Sequence, residues 1–141
     1  VLAFASLAIA GHDTETDKNG VILAGYDAVA YFTQGKPVKG SADYTAEYND
    51  AIYQFSSSKN RDLFLADPAR YAPQYGGFCA YGMTFGKKIP VNGEAFEVVD
   101  GKLYVNKNVR IYKKWAKDIP GHIEEADAEW LEVAYIPASE L

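Results

Sequence analysis

Between Asp67 and Phe85 the sequence reads DPARYAPQYGGFCAYGMTF, and no other stretch so narrows what the chain can become. Its aromatics, Tyr71, Tyr75, Phe78, Tyr81 and Phe85, fall at steps of four, three, three and four, the period of one helical face. Cys79 follows Tyr75 by four residues and is expected on that same face. Yet Gly76, Gly77 and Gly82 interrupt the run, and each weakens a helix by about 1 kcal/mol relative to Ala. Glycine at such positions implies that another backbone, or a ligand, approaches closely. The stretch reads as an aromatic face with a site beside it, and leaves the chemistry of that site open.

The flanking sequence supplies short elements. Tyr44 and Tyr48, an Asn49-Asp50 turn and the alternating run Ala51 to Ser56 predict an antiparallel hairpin. FEVVD-G-KLYVN, from Phe96 to Asn106, predicts a second. Val21-Ile22-Leu23 reads as a short strand. Ser56-Ser57-Ser58 offers caps for a helix that ends at Asp67-Pro68, and Pro68 or Pro73 suits the first turn of a following one. Asn106 or Asn108 is expected to cap a helix carrying Ile111, Tyr112, Trp115 and Ala116, broken at Pro120-Gly121. Ile119, Ile123, Ala126 and Trp130 continue at helical steps. No linker or repeat divides the 141 residues, so the prediction is one α+β domain of small antiparallel hairpins packed on short helices.

Val1 to Ala10, VLAFASLAIA, is uncharged and apolar, with Ala8-Ile9-Ala10 as a small-x-small cleavage site. It reads as the remnant of a signal peptide, against the alternative of a buried N-terminal helix, and is too short to span a bilayer. The expected location is periplasmic or secreted, with a mature chain starting near Gly11. Residues 11–20 read as a mobile polar leader, 21–106 as the core, 107–132 as a helical extension and 133–141 as a tail. Glu15, Asp17, Asn19 and Gly20 approximate a calcium-loop spacing, but Tyr26 stands where a bidentate Glu is required, so an Asn-Gly turn is preferred.

A net charge of −5 leaves no basic stripe to neutralise phosphates, which argues against nucleic-acid and anionic-membrane partners. Lys87-Lys88 reads as solvated surface. A single cysteine excludes an internal disulfide and a multi-thiolate zinc or iron–sulfur site. Cys79 is either a functional thiol, ligating copper or haem iron or reacting with an electrophile, or a small buried residue packed among Tyr75, Phe78 and Tyr81. His122 is either a ligand or base or a surface or capping histidine. His12, beside a free amine if cleavage follows Ala10, is a loose copper or nickel chelate or a plain leader residue. Asp27 either caps a turn or joins Tyr26, Tyr31, Tyr75, Tyr81 and Cys79 in one cleft. No Ser–His–Asp set, phosphate loop, dinucleotide fingerprint or zinc-protease helix occurs.

GYDAVAYF at 25–32 and YQFSSSKNRDLFLADPARYAPQYGGFCAYG at 53–82 resemble the stand-alone periplasmic form of the YHS domain family, over roughly Val21 to Asn106. The resemblance implies a small α+β fold in which a hairpin packs on short helices. It also implies a metal site in those members that carry three cysteines, whose places match Ala30, Ser56 and Asn60 here, so the thiolate set does not carry over.

Three functions follow. The first is an exported, non-enzymatic binding module with a pocket of Tyr26, Asp27, Tyr31, Tyr75, Cys79 and Tyr81. Its ligand would be a small organic molecule or a metal ion, copper favoured, held by Cys79, Asp27 and His122. The second is a thiol-based redox protein or enzyme using Cys79, and the third a structural or partner-binding domain without a small ligand. Self-association is compatible with each, stable membrane insertion with none.

Overall fold

Two hairpins with left-handed two-residue turns frame the molecule. The computed structural model describes residues 11–141, so the signal-peptide reading of residues 1–10 lies outside the described residues. Strands β1 (Ser41–Tyr48) and β2 (Ala51–Phe55) pair antiparallel, and Asn49 and Asp50 between them both have positive φ. Strands β3 (Phe96–Val99) and β4 (Lys102–Val105) pair likewise across Asp100-Gly101, again both at positive φ. Asn, Asp and Gly tolerate that region, and the resulting turn matches the right-handed twist of the strands it joins. Each hairpin is its own two-stranded sheet.

Helix α1 (Ala28–Thr33), the first hairpin and helix α2 (Ser58–Ala66) enclose one core. Strand β2 turns Ala51, Tyr53 and Phe55 inward, and the Tyr53 and Phe55 rings lie 4.4 and 5.1 Å from that of Phe64 on α2. The Ser57 hydroxyl caps α2 by accepting from the Asn60 amide at 3.1 Å. A second core gathers Tyr75, Phe78, Met83, Tyr104 and Trp115 beneath helices α5 (Val109–Trp115) and α6 (Ile119–Val133). Asn108, one of the two anticipated caps, starts α5 by accepting from the Ile111 amide. Pro120 sits in the first turn of α6, where a missing N–H costs nothing. Because α5 and α6 build this core, residues 107–132 are integral to the domain. The protein is therefore α+β, and no helix among the described residues is long and apolar enough to cross a membrane.

The single aromatic helix expected over Asp67–Phe85 does not form. The stretch breaks into α3 (Pro68–Tyr71), a short 3-10 turn and α4 (Ala80–Met83). Tyr75, Gly76 and Gly77 hold φ of 57°, 62° and 87°, values that end a right-handed helix. Tyr71 consequently faces the first core while Tyr75 and Phe78 face the second, and Phe85 is 61% exposed.

Another backbone does approach closely at Gly76, as its glycine requires. A Cβ on Gly76 would collide with the Asp13 carbonyl, and the Glu15 amide donates to the Gly76 carbonyl at 2.9 Å. The approaching backbone is thus residues 13–15 of the anticipated mobile leader. That segment is tied down elsewhere too, by the Asp13 amide on the Ala134 carbonyl at 2.7 Å and by the Ala138 amide on the Asp13 carboxylate at 3.1 Å. The strand anticipated at Val21–Leu23 is reduced to single bridges at Val21 and Ile22, since Leu23 and Ala24 take positive φ.

Candidate functional site

Cys79 precedes α4, and its amide donates to the Ile89 carbonyl at 2.9 Å, which draws the 86–90 loop over the helix. Its side chain is 0% exposed. The sulfur accepts the Lys107 amide N–H at 3.2 Å and its S–H faces Asn106 Oδ1 at 3.5 Å. That same oxygen accepts from the Tyr81 amide at 2.9 Å, so Asn106 orients both the thiol and the start of α4. The Asn106 Nδ2 finds no acceptor among the described residues; the side chain is turned so that its oxygen serves two donors.

Beside Cys79 lies a pocket of about 210 Å³. Tyr81, Phe85, Ile89 and Ile111 form its walls, Cys79 its floor, and Lys87 and Lys107 its polar margin. Gly82 also lines it, and a Cβ there would lie 2.8 Å from Ile89 Cδ1, so glycine keeps this wall open. The Tyr81 ring is held edge-on between Phe85 and His122, each with its ring centre 5.4 Å away. His122 is fixed in turn by Nδ1–H donating to the Trp115 carbonyl at 2.7 Å.

The structure thus gathers Cys79, Tyr81 and His122 in one region. Tyr75 lies apart from the pocket, its hydroxyl donating to Asp127 at 2.9 Å, with burial foremost and the Asp127 carboxylate next in raising its pKa far above the usual phenol value. Tyr31 donates to the Gly93 carbonyl at 2.5 Å, and burial holds its phenol protonated. Tyr26 donates to Glu94 at 3.2 Å beneath the Lys39 ammonium. His12 rests against Trp130 and Asn49.

Asp27 belongs with α1. Its Oδ1 accepts the Val29 and Ala30 amides at 2.9 and 3.2 Å, the capping arrangement of the two alternatives. Its Oδ2 accepts the Ser56 amide, the Ser56 hydroxyl and the Asn60 side-chain amide at 2.9, 2.8 and 2.8 Å. None of these partners is shared with Cys79, so one cleft holding both carboxylate and thiol is not what the chain builds.

The fit of the family's metal follows from this network. Ala30, Ser56 and Asn60, the residues in the places of the three thiols, all donate to Asp27. An ionised carboxylate offers about four lone-pair sites, and here five hydrogen bonds already occupy them. A soft metal finds neither sulfur nor a free oxygen among them. Nor does any group of three His, Cys, Asp or Glu among the described residues stand ready for a metal ion elsewhere.

A second pocket of about 260 Å³ lies under the N-terminal segment, lined in part by Asp13, Glu15, Phe78 and Lys88. Burial, aided by Asp17, raises the pKa of Glu15 from 4.5 to about 7. Lys88 is not the solvated residue expected of a Lys-Lys pair: its side chain is 1% exposed and paired with Asp13 at 3.1 Å. Its ammonium also lies over the Phe78 and Trp130 rings, at 5.4 and 5.5 Å.

The pocket margin was not visible in the sequence. Asn106, Lys107 and Ile111 follow the second hairpin and meet Cys79 only through tertiary packing. Gly82 was the one available signal, as a glycine in an apolar run that needed an explanation.

The family model of the YHS domain matches residues 29–75, from α1 through the first hairpin and α2 to Tyr75. No curated protein and no solved structure matches the chain. The domain type is one that has been associated with metal ions, copper among them. The Asp27 network lies mostly inside the matched segment, whereas Cys79 and its pocket lie just beyond it. With α1, the first hairpin and α2 arranged as described, residues 29–75 are the part of the chain that matches the YHS domain.

Proposed function

We propose that this protein is a non-catalytic binding module of the YHS type whose ligand is a small organic molecule seated over Cys79. One observation carries the proposal, the open pocket whose apolar walls close around a floor with no unsatisfied sulfur. Ligand sites are concave and mostly apolar with few polar groups, and this pocket has that composition. Metal binding is the weaker version of the reading, because the residues in the thiol places spend themselves on Asp27. Export belongs to the proposal and rests on VLAFASLAIA alone.

A ligand-observed NMR screen of small fragments tests it, run on wild type beside Ile111→Trp, which fills the pocket from a half-buried position. Saturation transfer to wild type that disappears in the variant supports the site. Fragments that bind both proteins alike, or neither, overturn it. A copper titration monitored by absorbance gives the contrary result if the metal version is right: stoichiometric uptake that is lost in Cys79→Ser.

A further inference from the structure

We infer that the ligand of this pocket is a small organic anion, a monocarboxylate with a compact apolar body, an inference that rests on the pocket being a ligand site at all. The charged side chains that line the pocket are of one sign. Lys87 and Lys107 border it, no carboxylate does, and neither lysine forms a salt bridge among the described residues. In a chain of net charge −5, an opening bordered only by cations is a local reversal of the general field, and such reversals concentrate anions.

The interior determines which way the ligand lies. The Cys79 sulfur is already engaged by the Lys107 amide and Asn106, so the sulfur itself offers a ligand neither a free donor nor a free acceptor. A polar group pushed inward would lose its water without replacement, at a cost well above that of any methylene. The apolar end therefore goes down between Tyr81, Ile89 and Ile111, and the carboxylate stays at the margin between the two ammonium groups. Charge-assisted hydrogen bonds are the stronger kind, so the lysines discriminate between a carboxylate and its neutral isostere.

Size narrows the class. The volume of about 210 Å³ is below the roughly 300–1,000 Å³ typical of pockets for drug-sized molecules. A single ring or a short chain fits; a long-chain fatty acid does not.

Calorimetric or NMR titration of the full chain with benzoate and hexanoate, against benzamide, hexanamide and hexylamine, tests the class. The carboxylates are expected to bind about tenfold more tightly than the amides, with the amine weakest. Lys87→Met with Lys107→Met, both exposed and without a salt bridge among the described residues, should remove that margin between carboxylate and amide. Amides binding as tightly as carboxylates, or the amine binding best, overturns the anion assignment while the pocket stands. If none of the five binds and the fragment screen is also blank, the pocket itself is wrong. If the screen finds only neutral or cationic occupants, the class alone is wrong.

Discussion

The side-chain amide of Asn60 donates to the Asp27 carboxylate at 2.8 Å, joining the first turn of α2 to the start of α1 inside the first core. Asp27 is fully buried, and its partners are all neutral donors. Asp27→Asn keeps the shape but sets an NH2 group against N–H and O–H donors. We expect a loss of roughly 3 kcal/mol, since a charged acceptor is removed and buried donors are orphaned. Urea denaturation checks this; a change below about 0.5 kcal/mol would show that the network is incidental.

Asp13 and Lys88 predict an asymmetry. Removing the carboxylate leaves an almost wholly enclosed ammonium with the Ile136 carbonyl and two ring faces but no counter-ion, whereas removing the ammonium leaves a carboxylate that is 30% exposed. Asp13→Ala should therefore destabilise by about 3 kcal/mol, near the lower bound for a broken buried pair, and Lys88→Met by clearly less. Thermal unfolding of both variants gives the order, and the reverse order would refute the argument.

Glu15 carries a pH dependence whose sign is opposite to that of most carboxylates. Its folded pKa is about 7, raised chiefly by burial and further by Asp17. Between pH 4.5 and 7 the folded state holds more of this proton than the unfolded chain does. The stability linked to it is full below about 4.5 and falls away as pH rises through 7. Solvent screening of this partly exposed group limits the effect to the order of 1 kcal/mol. The difference in stability between wild type and Glu15→Gln, measured from pH 4 to 8, should shift against wild type across that window; a flat difference would rule it out.

Cys79 should be silent towards thiol reagents in the native protein at neutral pH, and should label fully in denaturant. Its sulfur has no exposed surface and two hydrogen-bond partners. Rapid stoichiometric labelling by a disulfide reagent under native conditions would instead favour the redox alternative.

What was legible in the sequence was chiefly local. Asn49-Asp50 and Asp100-Gly101 announce both hairpins because a left-handed turn restricts its residues, and Ser57 and Asn108 announce helices because orphan amides need nearby acceptors. The stretch around Cys79 misled because its aromatic spacing imitates a helix that Tyr75 and Gly76 interrupt. What enforces the break is the backbone of residues 13–15, about sixty residues away in the chain. Lys88 misled for the same reason, since its partner Asp13 is 75 positions distant. A pocket assembled from α4, the loop after it and α5 leaves no periodic trace.

The lacing of Asp13 to Ala134 and Ala138 has a consequence for how the molecule comes into being. A nascent chain that has emerged only as far as α5 already contains every residue of the first core and the Gly76 and Lys88 partners of residues 13–15, but neither Ala134 nor Ala138. The Asp13 bonds to that stretch can close only once residues 134–138 have been synthesised, so this part of the lacing is set last.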